Sequence, residues 1–303
     1  MQDPLGLIAA AWNGLVAAYL AALPATLEDF LGSAALAAAI LLFECACLGW
    51  PRSSLRALLR GDSGSVRNDL WTFLLLGLGL GWPLSQLALL GLPEAARQAL
   101  QHWAALQPAD AGPPLAVALA WFVIYDFLLY WLHRWSHTVP ALWALHAYHH
   151  SAGEMTVLTR FRFHPLEAAL YTVAFAATLA WLPVPKLYLL ALMGASIAHT
   201  CLKHSRLTGD WGWLGRYILA SPASHHVHHS RDEAHFGSNY ATTFQFWDIC
   251  FGSHRQPDPA ALAGLRLGLA DDDGGRPQWT ALLDHYLRFL RGLLPRPRRR
   301  QPS

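Results

Sequence analysis

Six apolar runs constrain this chain more than anything else in it, because each is about twenty residues long, enough to cross the hydrocarbon core of a bilayer. They lie near Leu5–Leu23, Ser33–Trp50, Leu70–Leu92, Leu115–Leu132, Leu166–Leu182 and Val184–Thr200. Asn13 interrupts the first and Pro24 closes it. The last two are separated only by Pro183 and its neighbours, and read as a tight helical hairpin that enters and leaves on the same side. Composition agrees. Hydrophobic residues make up 54% of the 303 residues and charged residues 14%, where a soluble domain carries about a quarter charged. A net charge of +2 excludes a nucleic-acid-binding chain, and four cysteines are too few for a disulfide framework. Cys45 and Cys47 sit inside an apolar run and read as small packing residues.

Basic residues orient the runs. The loop after the second carries Arg52, Arg56, Arg60 and Arg67. Of the 22 basic residues, only Arg97 and Lys186 fall in loops assigned to the opposite face. Both termini and all the histidine clusters then lie on the cytoplasmic side. No basic residue precedes Arg52, so the charged start of a secretory signal is missing. Only two of the 22 basic residues are lysines, a composition typical of a GC-rich bacterial genome, and the expected location is a bacterial inner membrane. Three segments are expected: transmembrane helices over 1–112, a catalytic domain over 113–254 and a cytoplasmic tail over 255–303. In the tail, Asp284, Arg288 and Arg291 share one side of a helical pattern whose other side is leucine. Such a helix either lies on the membrane surface or packs on the protein's own cytoplasmic face.

Sixteen histidines are the second unusual feature, and fourteen fall between His133 and His254. His133 and His137 stand at i, i+4, one turn apart on one side of a helix. His146, His149 and His150 follow, and His225, His228 and His229 repeat the same spacing with His226 between. His102, His254 and His285 stand apart and read as ordinary hydrogen-bonded packing residues. Closely spaced neutral imidazoles each need a partner in a low-dielectric setting, and charging them together is repulsive. Metal ions satisfy all of them at once, and eight or more nitrogens exceed what one ion takes, so two ions are the natural count. The expected fold class is an all-α, multi-span membrane bundle with a histidine-rich di-metal site at its cytoplasmic face. Asp126, Tyr130, His133 and His137 form one stripe of the fourth run. Asp126, an acid inside the membrane, is expected to accept a hydrogen bond from a ligand imidazole and orient it, the alternative being a structural aspartate bonded to Ser, Tyr or Arg on a neighbouring helix.

The order DFLLYWLHRWSH, LHAYHH, RFHPLE and SPASHHVHHSRDEAHFGSNYATTFQFWDICFGS resembles the fatty acid hydroxylase/sterol desaturase superfamily over roughly Leu115–Ser253. That group includes sterol desaturases, lipid and carotenoid hydroxylases and alkylglycerol monooxygenase. Asn239, Tyr240, Trp247, Asp248, Phe251 and Gly252 carry the likeness apart from the histidines. The resemblance implies metal ligation by His133, His137, His146, His149, His150, His225, His228 and His229, with one further histidine ahead of the last cluster. His204 is the first choice for it and His199 the second. Arg206 stands where many members have asparagine. His164, Asn239, Tyr240 and Asp248 are expected behind the ligands, while His226 and His235 stay unassigned.

By the same resemblance, the cofactors are two iron ions and O2, and the reaction is oxidation of a C–H bond in a sterol, acyl or ether lipid. Hydroxylation is preferred over desaturation. Zinc outcompetes ferrous iron at nitrogen sites, so purified protein can carry zinc that is not the working metal. The chain has no haem-attachment, dinucleotide or ferredoxin motif, which implies a separate reductase or small electron carrier. Two other classes compete: a membrane metal-binding or transport protein, and a family member that has lost activity and binds lipid.

Overall fold

The computed structural model describes residues 4–104, 114–182, 184–258, 262, 264–269 and 276–294. Among these residues the regular structure is helical, apart from isolated bridges pairing Leu219 with Phe244 and Ser230 with Leu267. The helices are α1 (Pro4–Leu48), α2 (Ser54–Arg60), α3 (Gly64–Gly77), α4 (Gly81–Ala88), α5 (Leu92–Ala104), α6 (Pro114–Thr138) and α7 (Pro140–His150). They continue as α8 (Pro165–Trp181), α9 (Lys186–Lys203), α10 (Gly212–Tyr217), α11 (Pro222–His228), α12 (Phe246–Cys250) and α13 (Gln278–Leu293).

The first two apolar runs form one continuous helix rather than two spans. With 45 residues, α1 is about 67 Å long, roughly twice the hydrocarbon thickness. Its side chains Leu20, Leu31, Leu42 and Phe43 are exposed, as a lipid-facing helix requires. Cys47 is exposed as well, so it is not a packing residue. The third run is broken: α3 and α4 meet at 84°. Gly79 makes the corner at φ 68°, and a Cβ on neighbouring Gly77 would stand 2.3 Å from the Phe30 ring of α1. Glycine is needed here for close approach as well as for the turn. Among the described residues two helices, α1 and α6, are long and apolar enough to cross a membrane, and the bent α3–α4 pair makes up to three. The fold is thus an all-α multi-span membrane bundle, although fewer elements pass that test than the six runs imply.

The expected α8–α9 hairpin is splayed. Pro183 lies outside the described residues. α8 packs on α4, α5 and α6, while α9 packs on α1 and on the turn Val157–Phe161. The two helices part company and leave space between them. α13 settles the two readings of the tail helix partly in favour of packing. It lies along α7, where His285 donates from Nδ1 to the Ala144 carbonyl at 2.7 Å. Gln278 donates to the Thr72 hydroxyl at 2.9 Å. Its other side still exposes Trp279, Leu283, Leu287, Leu290 and Leu294, spaced as one stripe.

A buried polar knot joins the N-terminal helices to the central ones. Arg162 pairs with Asp69 of α3 at 3.0 Å and donates to the carbonyls of Ser65 and Tyr148 and to the Ser151 hydroxyl. Thr156 and Thr159 donate to the other Asp69 oxygen at 2.8 and 2.5 Å. Glu44, near the end of α1, accepts from the backbone N–H groups of Ser54 and Arg206 at 2.6 and 2.5 Å and from the Ser54 hydroxyl. Arg206 in turn pairs with Glu154. Asp69→Ala leaves the Arg162 guanidinium buried beside an empty site, which costs about 3–5 kcal/mol. Denaturation of the detergent-solubilised protein should show this loss. Asp69→Leu combined with Arg162→Met should cost less than either single change.

Candidate metal centre

Four helices deliver nine imidazoles to one place. α6 supplies His133 and His137, and α7 supplies His146, His149 and His150. His204 follows the last residue of α9, and α11 with its C-cap supplies His225, His228 and His229. The ring nitrogens fall into two groups, His133, His137, His146, His150 and His228 in one, and His149, His204, His225 and His229 in the other. Within each group the candidate ligand atoms lie within 4.8 Å of one another. The helical period makes the split. On α7, residues i and i+4 face the first group and i+3 faces the second; on α11, His225 and His229 face the second and His228 the first. The groups adjoin, since the His150 and His229 rings stack with centroids 4.2 Å apart.

Hydrogen bonds decide which nitrogen points inward. The His133 Nδ1–H donates to the Tyr240 carbonyl at 2.7 Å, and the His228 Nδ1–H to the Ser238 carbonyl at 2.8 Å. The His204 Nδ1–H donates to the Thr200 carbonyl at 2.7 Å, and the His146 Nδ1–H to Glu167 at 2.6 Å. A carbonyl or carboxylate can only accept, so the proton is fixed on Nδ1 and the lone pair on Nε2 faces the cluster. Burial pushes His149, His150, His204, His225 and His229 well below the usual imidazole range, and His228 down to about 3. Neighbouring imidazoles add to the effect. These six rings are therefore neutral, with lone pairs to offer.

These residues fit a pair of metal ions. Buried nitrogens of His137, His146, His149, His150, His225, His228 and His229 have no hydrogen-bond partner. The His204 Nε2 lies 2.9 Å from His225 Nε2 and 3.3 Å from His149 Nε2. Nitrogens sharing one ion through bonds of about 2.1 Å stand about 3 Å apart when those bonds are near right angles. The donor set is all imidazole, which suits iron or zinc.

The residues behind the ligands differ in part from the expectation. Asp126 does not touch a ligand imidazole. It accepts from the backbone N–H groups of Thr243 and Phe244 at 3.0 and 3.1 Å and from the Trp247 indole at 3.1 Å. Its stripe on α6 points at the loop after the third cluster, which comes from far along the chain. Asp248 plays the neighbouring part, accepting from the N–H groups of Tyr240 and Ala241 at 2.8 and 2.9 Å. Together the two acids hold the loop whose Tyr240 carbonyl orients His133.

Asn239, at φ 57°, donates to the carbonyls of Ser224 and Arg255 and accepts from the Arg255 N–H. His164 caps α8, accepting from the Leu166 N–H. His199 stands outside both groups with Nε2 on the Ala220 carbonyl, and His226 likewise bonds to the Ser205 carbonyl. His235 is also outside. Of the three isolated histidines, His285 and His254 are hydrogen-bonded and His102 is exposed. The residue missed from sequence is Glu167. Its only signal is an acid in the first turn of an apolar helix, three residues after His164.

Cavities reach the centre from two sides. One, of about 290 Å³, runs between α6, α8 and α9, with Leu129, Phe163, Met193 and Ile197 among its walls, and ends on His133, His146, His149, His204 and His225. The splay of α8 from α9 opens it. The other, of about 430 Å³, meets His137, His150 and His228 beside Trp143, Arg231 and Tyr240.

Elemental analysis of metal-loaded protein should give about two ions per chain for nine such ligands. Alanine at His225 or His229 should lower that to about one, whereas His199→Ala should leave it unchanged. Glu167→Gln should weaken binding about 10–100-fold in a metal titration, by loosening the orientation of His146.

Residues 118–253 match the sequence model of the fatty acid hydroxylase family. Human alkylglycerol monooxygenase is 29% identical over 144 residues, covering 48% of this chain and 32% of the relative. An ornithine lipid hydroxylase of Rhizobium tropici is 29% identical over 188 residues, covering 61% and 54%. A Delta(7)-sterol 5(6)-desaturase of Gibberella zeae is 32% identical over 171 residues, covering 53% and 50%. The chain thus spans about a third to a half of these relatives. No solved structure gives a significant match. Over residues 118–253, the segment that holds all nine clustered histidines, this chain is thus similar to the fatty acid hydroxylase family.

Proposed function

We propose that the protein is an integral-membrane oxidoreductase that hydroxylates a C–H bond of a lipid, using O2, two iron ions and electrons from a separate donor. The observation that carries this reading is the meeting of a largely apolar cavity, lined by α6, α8 and α9, with residues of both histidine groups. The names of the relatives, two oxygenating enzymes and a desaturase acting on lipids, support the same class.

Iron held by these nitrogens would supply the one-electron and oxygen chemistry that side chains lack. The ligands would be His133, His137, His146, His150 and His228 for one ion and His149, His204, His225 and His229 for the other. The rest of the work falls to the protein. Leu129, Met193 and Ile197 line the approach, exclude water and align an aliphatic chain with the centre. Glu167 and the carbonyls of Thr200, Ser238 and Tyr240 hold four ligand rings by their Nδ1 protons, so that these rings neither rotate nor exchange tautomers.

The second cavity lies beside Trp143 and Arg231 and reaches the centre from the other side. It gives O2 and an external electron donor a route that avoids the lipid path. The basic loops favour placing that side at the cytoplasmic face of a bacterial inner membrane, with residues 113–254 as the catalytic unit. A transport role would need polar groups along a path through the spans. Glu44 and Asp126 are instead occupied by backbone N–H groups at fixed positions.

Comparative lipidomics of cells with and without the gene tests the proposal. The expected result is a lipid carrying one extra oxygen atom that vanishes in the deletion and in His149→Ala or His229→Ala cells. Loss of two hydrogens instead identifies a desaturase. Profiles unchanged by deletion and by both variants would overturn the enzymatic reading.

A further inference from the structure

The cavity between α6, α8 and α9 contains a charge that hydrocarbon cannot satisfy. Arg160, in the turn Val157–Phe161, lines it. Among the described residues its guanidinium has no ion pair, and its buried Nε has no hydrogen-bond acceptor. The Phe161 ring lies beside it, with the guanidinium carbon 4.9 Å from the centroid, and Tyr125 and Cys201 are further neighbours without formal charge. A cation–π contact covers one face of the group and leaves its in-plane N–H donors unmet. The situation differs from that of Arg162 two residues on, which is fully buried against Asp69.

Lys203 lines the same cavity, but its ammonium donates to the carbonyls of Ala241 and Thr242 at 3.1 and 2.5 Å. The carboxylates of Asp126 and Asp248 also lie close enough to oppose its charge. Among the described residues no Asp or Glu lines this cavity. Arg160 is therefore the wall charge with no carboxylate near it among the described residues, at the edge of a centre built to hold further cations. Buried charges are stable when paired, and a guanidinium pairs best with a two-oxygen anion.

We infer that Arg160 is the headgroup anchor of the substrate cavity, and that the lipid taken there bears an anionic carboxylate or phosphate close to the carbon that is oxidised. The inference rests on the lipid-oxidising reading of the site and narrows its substrate class: neutral sterols, neutral ether lipids and carotenoids fit the walls but leave Arg160 unpaired. Arg160 acts here as a binding residue. Its two oxygen-facing N–H groups fix how far the chain enters, and so which carbon meets the histidines.

Binding separates this inference from the reaction itself. The full chain, metal-loaded and held in zwitterionic nanodiscs, is titrated with dodecanoate, dodecyl phosphate and dodecanol, by displacement of a fluorescent fatty acid. Charge-assisted hydrogen bonding predicts that at least one anion binds about tenfold or more tighter than the alcohol. Which anion wins distinguishes a carboxylate from a phosphate headgroup. Arg160→Gln and Arg160→Met should each bring that anion down to the affinity of the alcohol, while metal content stays constant, and Arg160→Lys should keep part of the preference.

Equal binding of all three probes to the wild-type protein overturns the inference, even if both neutral variants fail to fold. So does a preference that survives in either folded neutral variant. Because no turnover is read, an anion preference without any oxidised lipid in cells would count against the oxidase reading alone. An oxidised neutral lipid would count against the anchor alone.

Discussion

Lone pairs that face one another in a dry interior are the constraint on which this structure depends. Four of the nine clustered histidines have their protons fixed on the outward nitrogen by a carbonyl or a carboxylate. Their inward nitrogens converge with ring nitrogens of the remaining five, as close as 2.9 Å between His204 and His225. Such an arrangement is repulsive and poorly solvated unless cations occupy it. The surrounding architecture works against that repulsion. α11 begins at a reciprocal cap between Ser221 and Ser224 with Pro222 in the first turn, so its three ligands start from a fixed frame. α7 is tied from outside by Arg162 and by α13.

The centre has two different sides. Towards the bundle, α8 and α9 separate and leave an apolar passage. Towards the opposite side, a wider cavity is bordered by aromatic and basic groups. This asymmetry matches a reaction in which a greasy substrate and polar reactants must meet without sharing a route. Arg160 gives the apolar passage a polar point of reference, and a passage of aliphatic walls alone would let a chain slide.

The histidine clusters were legible because their spacing is a helical property: i, i+3 and i+4 neighbours share a face wherever the helix ends up. His204 and His199 could not be separated that way. Both lie near the end of α9, and only the fold shows one turned to the cluster and the other to the Ala220 carbonyl. Asp126 illustrates a different limit. It does share a stripe with His133, but the groups it meets are 117 and 118 residues distant in the chain. Glu167 was overlooked for the same reason, since its partner His146 lies on another helix. The apolar runs overstated the spans. Apolarity does not tell one long helix from two, nor a straight span from one bent at Gly79.

Sequence alone determined that the chain is helical, apolar enough for a membrane and rich in imidazole at ligand spacing, because these are local regularities of composition and period. Tertiary structure decided how nine rings divide into two groups, which nitrogen each ring turns inward, and where an open path meets them. Those outcomes depend on contacts between residues tens to hundreds of positions apart, made only when separate helices pack together.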